Sequence, residues 1–229
     1  VREQRPHPLR EEKIITAWNG MMITALSKAG YELDNKKYTQ AAIDAAEFVW
    51  THNRQNDGRL WRNHLNGHSS ITASQEDYAF LAESFISLYD ITGKRYWLER
   101  TIQLTKTMLK LFHDKESNNF YMSEVSMTPK GLTRMKDLND TAIPSGNSVA
   151  LRVLNQLSVR TEEQQYEELA NTLMSYQSSL VSKQPSSYSY FVKTVDEQYN
   201  GEVSSIQYGG RGHVKARIIK ENNAITLSI

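Results

Sequence analysis

Along most of the chain, apolar positions recur at helical spacing in pairs of segments separated by short polar turns. Ile14 to Leu33 carries Ile15, Trp18, Met22, Ala25, Leu26 and Ala29 at intervals of three and four. So wide an apolar surface predicts a helix touched on several sides. Lys37 to Asn53 has Tyr38, Ala41, Ala42, Ala45, Phe48 and Val49 on one face and Gln40, Asp44 and Glu47 on the other, as an outer helix wetted on one side requires. Asn56-Asp57-Gly58 is turn chemistry, and Arg59-Leu60-Trp61 a short extended piece.

The same pattern then returns twice. Gln75 to Thr92 and Lys94 to Phe112 form a second pair, followed by a turn at Ser117-Asn118-Asn119 and an extended Phe120-Tyr121. Gly146 to Arg160 and Thr161 to Val181 form a third, followed by Gln184-Pro185-Ser186 and an expected extended piece at Tyr190-Phe191-Val192. Tyr38, Tyr96 and Tyr166 mark equivalent places, 58 and 70 residues apart. Three helical hairpins at a period of about 60 residues predict a helical solenoid or toroid rather than a bundle around one core. The fold class is therefore mainly α: a partial α/α toroid of about three hairpins over residues 14–200, behind an extended Arg/Pro/Glu-rich arm at 1–13. Short β-branched runs at Glu202–Gln207, Val214–Lys220 and Ala224–Ile229 predict a small β appendage at 201–229, with Val214–Ile229 a hairpin.

Composition narrows the chemistry. Lys and Arg number 27 against 26 Asp and Glu, so no large field draws the chain to nucleic acid or an anionic membrane. Cysteine is absent, which removes disulfides, thiolate metal sites and cysteine nucleophiles from this segment. No apolar run approaches the ~18 residues of a membrane span. The chain opens on Val1 with no apolar leader, and we expect a piece of a longer, cytoplasmic protein.

In a toroid of hairpins, the segments leading into the inner helices converge on one end of the ring. Here they are Glu11 to Gly20, Ser74 to Tyr78 and Asp140 to Ser148. Each mixes carboxylates, amides and hydroxyls with an aromatic or a glycine, at helix N-termini whose free amides face the same space. Ser74-Gln75-Glu76-Asp77 also reads as plain N-capping, and Pro144-Ser145-Gly146 as a turn and cap, although Gly146 and Ser148 would let a ligand approach the backbone. Trp18-Asn19-Gly20 inside a helix implies close packing or a ligand, because Asn and Gly are poor helix formers. A Trp face beside donors and acceptors is what a sugar site needs. Glu12 with Asp77 or Asp140 are candidate acid and base. His64 and His68 stand four apart, but Asn66-Gly67 between them argues against a helical metal pair, and Gly209-Gly210-Arg211-Gly212 lacks the frame of a phosphate loop. No metal or cofactor is expected.

At these leads the sequence resembles the C-terminal half of the YyaL, or spermatogenesis-associated, family of thioredoxin-domain-containing proteins. The motifs that carry the resemblance are Glu11-Glu12-Lys13, Trp18-Asn19-Gly20-Met21-Met22, Glu76-Asp77-Tyr78-Ala79-Phe80 and Pro144-Ser145-Gly146-Asn147-Ser148, joined by Asp57-Gly58-Arg59-Leu60 and Asn119-Phe120-Tyr121. The acidic pair is Glu-Glu where the family has Asp-Asp, one methylene longer. The resemblance implies a six-hairpin glycosidase or N-acylglucosamine 2-epimerase type of toroid. It also implies a missing N-terminal part with a thioredoxin-like domain and about three further hairpins.

Two functions are then expected to compete. One is a carbohydrate-active enzyme, with Asp77, Glu12 and Asp140 in acid/base work and Trp18, Asn19, Lys13, Glu76, Tyr78, Ser145 and Asn147 holding a sugar-like ligand. Epimerase chemistry is disfavoured, since those enzymes use histidines on inner helices and none of the six here falls on one. The other is a non-catalytic binding or scaffold module. Half a ring leaves two raw helical edges, so association with the missing half or with a second copy is expected in either case.

Overall fold

In the computed structural model the described residues are Arg5, 11–199 and the strands Ser205–Gln207, Lys215–Glu221 and Ala224–Ser228. Seven helices carry the described fold: α1 (Thr16–Glu32), α2 (Lys36–His52), α3 (Gln75–Thr92), α4 (Arg95–Phe112), α5 (Gly146–Thr161), α6 (Gln164–Val181) and α7 (Ser189–Tyr199). They form two layers. The inner layer runs α1, α3, α5, α7, each packed on the next, while α2, α4 and α6 cover the first three from outside. This is part of an α/α toroid.

Burial explains the division. Nearly every residue of α3 from Gln75 to Leu88 is buried, because neighbours surround it. By contrast α4 buries one stripe through Trp97, Leu98, Thr101, Leu104, Met108 and Phe112. Gly93 ends α3 in the left-handed region at φ 66°, which favours glycine there. Between layers, Tyr78 of α3 meets Phe112 of α4 and Phe85 meets Trp97, with ring centroids 5.3 and 5.1 Å apart.

Charge also fastens the inner helices to one another. Arg160 of α5 makes two bonds to Asp90 of α3, at 2.9 and 2.6 Å. Arg152 of α5 donates to Glu83 of α3 at 2.8 Å and to Glu197 of α7 at 2.9 Å, and Tyr190 of α7 also donates to Glu83. Both pairs are largely withdrawn from water, which makes each partner dependent on the other.

Two elements depart from the sequence expectation. Tyr190-Phe191-Val192 lies within α7, a fourth inner helix, because Asp140 accepts at its first turn from the N–H of Tyr190, at 2.7 Å, and from that of Phe191. Ile14 and Ile15 do not open α1. They form a short strand, β1, that pairs antiparallel with His64 and Asn63 of β2 (Trp61–Leu65), which pairs in turn with β3 (His68–Thr72). Asn66-Gly67 makes the turn between them with φ of 50° and 80°, so His64 and His68 sit on neighbouring strands of one hairpin. The three late strands, β4 (Ser205–Gln207), β5 (Lys215–Glu221) and β6 (Ala224–Ser228), pair antiparallel in chain order. Most of the arm at 1–13 and Gly209-Gly210-Arg211-Gly212 lie outside the described residues.

Candidate functional site at the N-terminal ends of the inner helices

The first helix lacks a cap of its own. Its N-cap residue is Ile15, whose side chain can accept nothing. The carboxylate of Asp77, from the first turn of α3, supplies the missing acceptor: Oδ1 takes the N–H of Ala17 at 3.0 Å. Its Oδ2 takes the N–H of Ser74 at 2.9 Å, the hydroxyl of Ser74 at 3.0 Å and Nη1 of Arg62 at 3.1 Å. Burial pushes the Asp77 carboxyl upward from its ordinary range, against the pull of the Arg62 guanidinium. Asp77 has no exposed surface at all.

The Trp18-Asn19-Gly20 segment is packed at one residue and exposed at another. Gly20 is packing: a Cβ there would stand 2.7 Å from the carbonyl carbon of Phe80, so α1 and α3 approach backbone to backbone. Asn19 donates to the carbonyl of Ile15 at 2.9 Å. Trp18 is 57% exposed, and Met22, one turn on, is exposed as well.

The second junction is also a backbone approach. Gln75 Nε2 donates to the carbonyl of Gly146 at 3.0 Å, and a Cβ on Gly146 would lie 3.2 Å from Cα of Glu76. Ser145 caps α5 by accepting from the N–H of Ser148 at 3.1 Å. Asn147 accepts from the N–H of Phe120 and donates to the carbonyls of Phe120 and Asp137. Asp140 takes the N–H of Ser145 at 2.8 Å and that of Tyr190, tying the loop to α5 and α7 together. The leads of α1, α3 and α5 therefore abut at one end of the inner layer.

The expected site residues separate by what they can still do. Ser145, Asn147 and Asp77 are buried and engaged, Ser145 and Asp77 in capping and Asn147 in holding the backbone of Phe120 and Asp137. Tyr78, expected to touch a ligand, turns away from this end. Its hydroxyl accepts from the N–H of Leu60 at 2.8 Å, its ring lies on Phe112, and burial pushes its hydroxyl up to about 12. Lys13 is partly exposed and paired with Glu11 at 3.1 Å, and Glu12 is exposed beside them. Glu76 is partly exposed and accepts from Arg62 at 2.8 Å.

Two residues that carry no motif complete the end of the ring. Arg62, on β2, reaches Ser74, Glu76 and Asp77. Asp137 has its carboxyl pushed up by burial first, and then by the charges of Glu76 and Asp140, which bring three carboxylates into electrostatic reach of one another. Such a set can donate and accept protons or hold hydroxyl groups. Among the described residues no three histidine, aspartate or glutamate side chains gather to hold a metal ion, and no helix is long and apolar enough to cross a membrane.

No protein-family model matches the chain. Among curated proteins, spermatogenesis-associated protein 20 of Homo sapiens is 31% identical over 166 residues, 69% of this chain and 21% of that protein. An uncharacterised protein of Caenorhabditis elegans is 31% identical over 179 residues, 75% of this chain and 24% of that one. The chain thus spans less than a quarter of the length of these relatives. Among solved structures, a family 76 α-mannanase of Bacteroides thetaiotaomicron superposes with a TM-score of 0.62 at 13% identity, covering 90% of this chain and 62% of that one. A cellobiose 2-epimerase of Bacillus thermoamylovorans gives a TM-score of 0.59 at 18% identity, covering 74% and 45%. At those identities the likeness is one of fold.

Proposed function

Since the chain belongs to the spermatogenesis-associated protein 20 family and carries part of an α/α toroid, we propose that it supplies one wall of a cleft for a carbohydrate-type ligand, in a cytoplasmic enzyme of glycoside hydrolase-like or sugar-modifying type. The observation that carries this reading is the exposed Trp18 on the first turn of α1, at the end of the inner layer where Glu76, Arg62, Asp137 and Asp140 gather. An indole face stacks on the apolar face of a sugar ring, while carboxylates and a guanidinium bind its hydroxyls. Solved neighbours that act on sugars by their names, a mannanase and an epimerase among them, support the class of ligand through fold alone. In this reading Lys13, Asn19 and Glu76 line the cleft with Trp18. The acid/base work falls to carboxylates that keep exposed surface, Glu12 and Asp140 as candidates, of which Asp140 also accepts backbone amides at both oxygens. Asp77 acts from beneath, orienting Arg62, because its own oxygens are enclosed.

A second reading has its own observation. Trp18 and Met22 stand one turn apart on α1, both exposed, which is also the pattern of a helix seam awaiting a neighbour. Here the chain is a non-catalytic module whose α1 flank is covered by another part of a longer, thioredoxin-domain protein.

Thermal unfolding of the full-length protein, with and without a panel of mono- and disaccharides, tests both. A ligand at ~100 times its dissociation constant adds about 2.7 kcal/mol. A sugar-specific shift that vanishes in Trp18→Ala, with the ligand-free midpoint unchanged, is expected for the cleft. No shift with any sugar, and a lowered midpoint in Trp18→Ala, would establish the seam instead.

A further inference from the structure

Resting on the cleft reading, we propose that Arg62 is a ligand-binding clamp whose outward N–H groups donate to neighbouring hydroxyls, and that the ligand is a neutral sugar rather than a uronate or a sugar phosphate. The guanidinium is held at one corner. Its Nη1 alone meets three acceptors, Ser74 Oγ at 2.7 Å, Glu76 Oε1 at 2.8 Å and Asp77 Oδ2 at 3.1 Å. Two of those belong to the capping box of α3, so the plane of the guanidinium is fixed by a helix start rather than by a mobile surface group. Its Nε and Nη2 find no acceptor among the described residues, and the side chain is 34% exposed. An arginine anchored at one nitrogen with its other donors open presents a rigid fork to two oxygens.

A carboxylate or a phosphate would fit that fork as well as a pair of hydroxyls, so local charge decides the class. Glu76 and Asp77 touch the guanidinium, and Asp137 and Asp140 stand in the same electrostatic neighbourhood. Two carboxylates touch the one guanidinium, so its charge is already more than balanced where it is bound. Lys13, the cation nearest in sequence to the α1 start, is already paired with Glu11. An anionic ligand would meet like charge at a partly desolvated place, which is costly. Hydroxyl groups escape the conflict, since each accepts from Arg62 and donates to a carboxylate at once. Were Arg62 only the counter-ion of buried Asp77, a lysine would serve equally.

The test is titration calorimetry of the full-length protein with glucose, mannose, cellobiose, glucuronate, glucose 6-phosphate and glucosamine, repeated on Arg62→Lys. The expected result is binding of a neutral sugar that Arg62→Lys weakens at least about tenfold, at an unchanged unfolding midpoint. Equal affinity in Arg62→Lys overturns the clamp. A preference for glucuronate, the phosphate or the amine overturns the neutral class, and needs no variant to do so; the cleft reading survives both of those results. Failure of every sugar to bind removes the cleft and this inference together.

Discussion

Asp77 caps a helix that it does not belong to. Its Oδ1 holds the amide of Ala17, 60 residues earlier in the chain, while its Oδ2 closes the capping box of its own helix on Ser74. In Asp77→Asn an amide NH2 would face the donors of Ser74 and Arg62, leaving one acceptor where two are needed. We expect a loss of about 2–4 kcal/mol in urea unfolding, against about 1 kcal/mol for Ser74→Ala. Losses of equal size would mean that the shared cap carries no extra stability.

Gly20→Ala separates intrinsic helix preference from packing. In an open helix, alanine gains up to about 1 kcal/mol over glycine. Here its methyl would sit 2.7 Å from the Phe80 carbonyl carbon and 2.9 Å from the Leu81 nitrogen, both backbone atoms. The substitution is expected to destabilise by about 1–3 kcal/mol, and a stabilised variant would show that α1 and α3 can part without cost.

These two sites also show what the sequence could and could not disclose. The bounds of α3 were legible because Ser74 and Gly93 punctuate both ends of a dense apolar run. The layers were legible because the Ile14–Leu33 segment is apolar on several sides and the Lys37–Asn53 segment on one face only. Ile14-Ile15 read as helix because the strand that claims it lies some fifty residues away, beyond the reach of a local pattern. Tyr190-Phe191-Val192 echoed two earlier extended pieces in position, and the echo misled; what makes it helical is a distant cap, Asp140. At the candidate site, Trp18 and Glu76 sat in motifs and could be named from them. Arg62 and Asp137 were missed, since neither stands in a motif and their partners come together only through the fold. Tyr78 sat in a motif and still faces the other layer, because each helical residue is turned about 100° from the one before it, and two such steps carry Tyr78 away from the side on which Glu76 stands.

Arg152 joins three inner helices, so its removal should cost more than a surface ion pair. Arg152→Ala leaves Glu83 and Glu197 without their shared cation, and a loss of about 3–5 kcal/mol is expected by thermal or urea unfolding. Tyr190→Phe removes one donor from Glu83 and should cost only about 1–2 kcal/mol. A near-neutral Arg152→Ala would show that solvent readily enters this network.

Acid should unfold the chain partly through the loop after α4. Lys136, at 2.5 Å, and Ser117 hold the Asp114 carboxyl far below its ordinary range. Since the folded value is depressed, its stabilisation is present above the unfolded-state pKa of about 3.9 and disappears as pH falls through and below it. Wild-type stability should therefore decline more steeply than that of Asp114→Asn between about pH 5 and pH 2. Parallel curves would exclude Asp114 as a source of acid sensitivity.

The cap shared by α1 and α3 also orders events during synthesis. When the residues of α1 leave the ribosome, the acceptor for Ala17 has yet to be translated, and Ile15 offers no substitute. At ~5–20 residues per second the first turn of α1 waits several seconds for its partner. Its amide can be sheltered only once the second hairpin has folded back upon the first, so the first hairpin remains unfinished until then. A nascent chain halted before Asp77 would exchange the Ala17 amide freely, and one halted well beyond it would not.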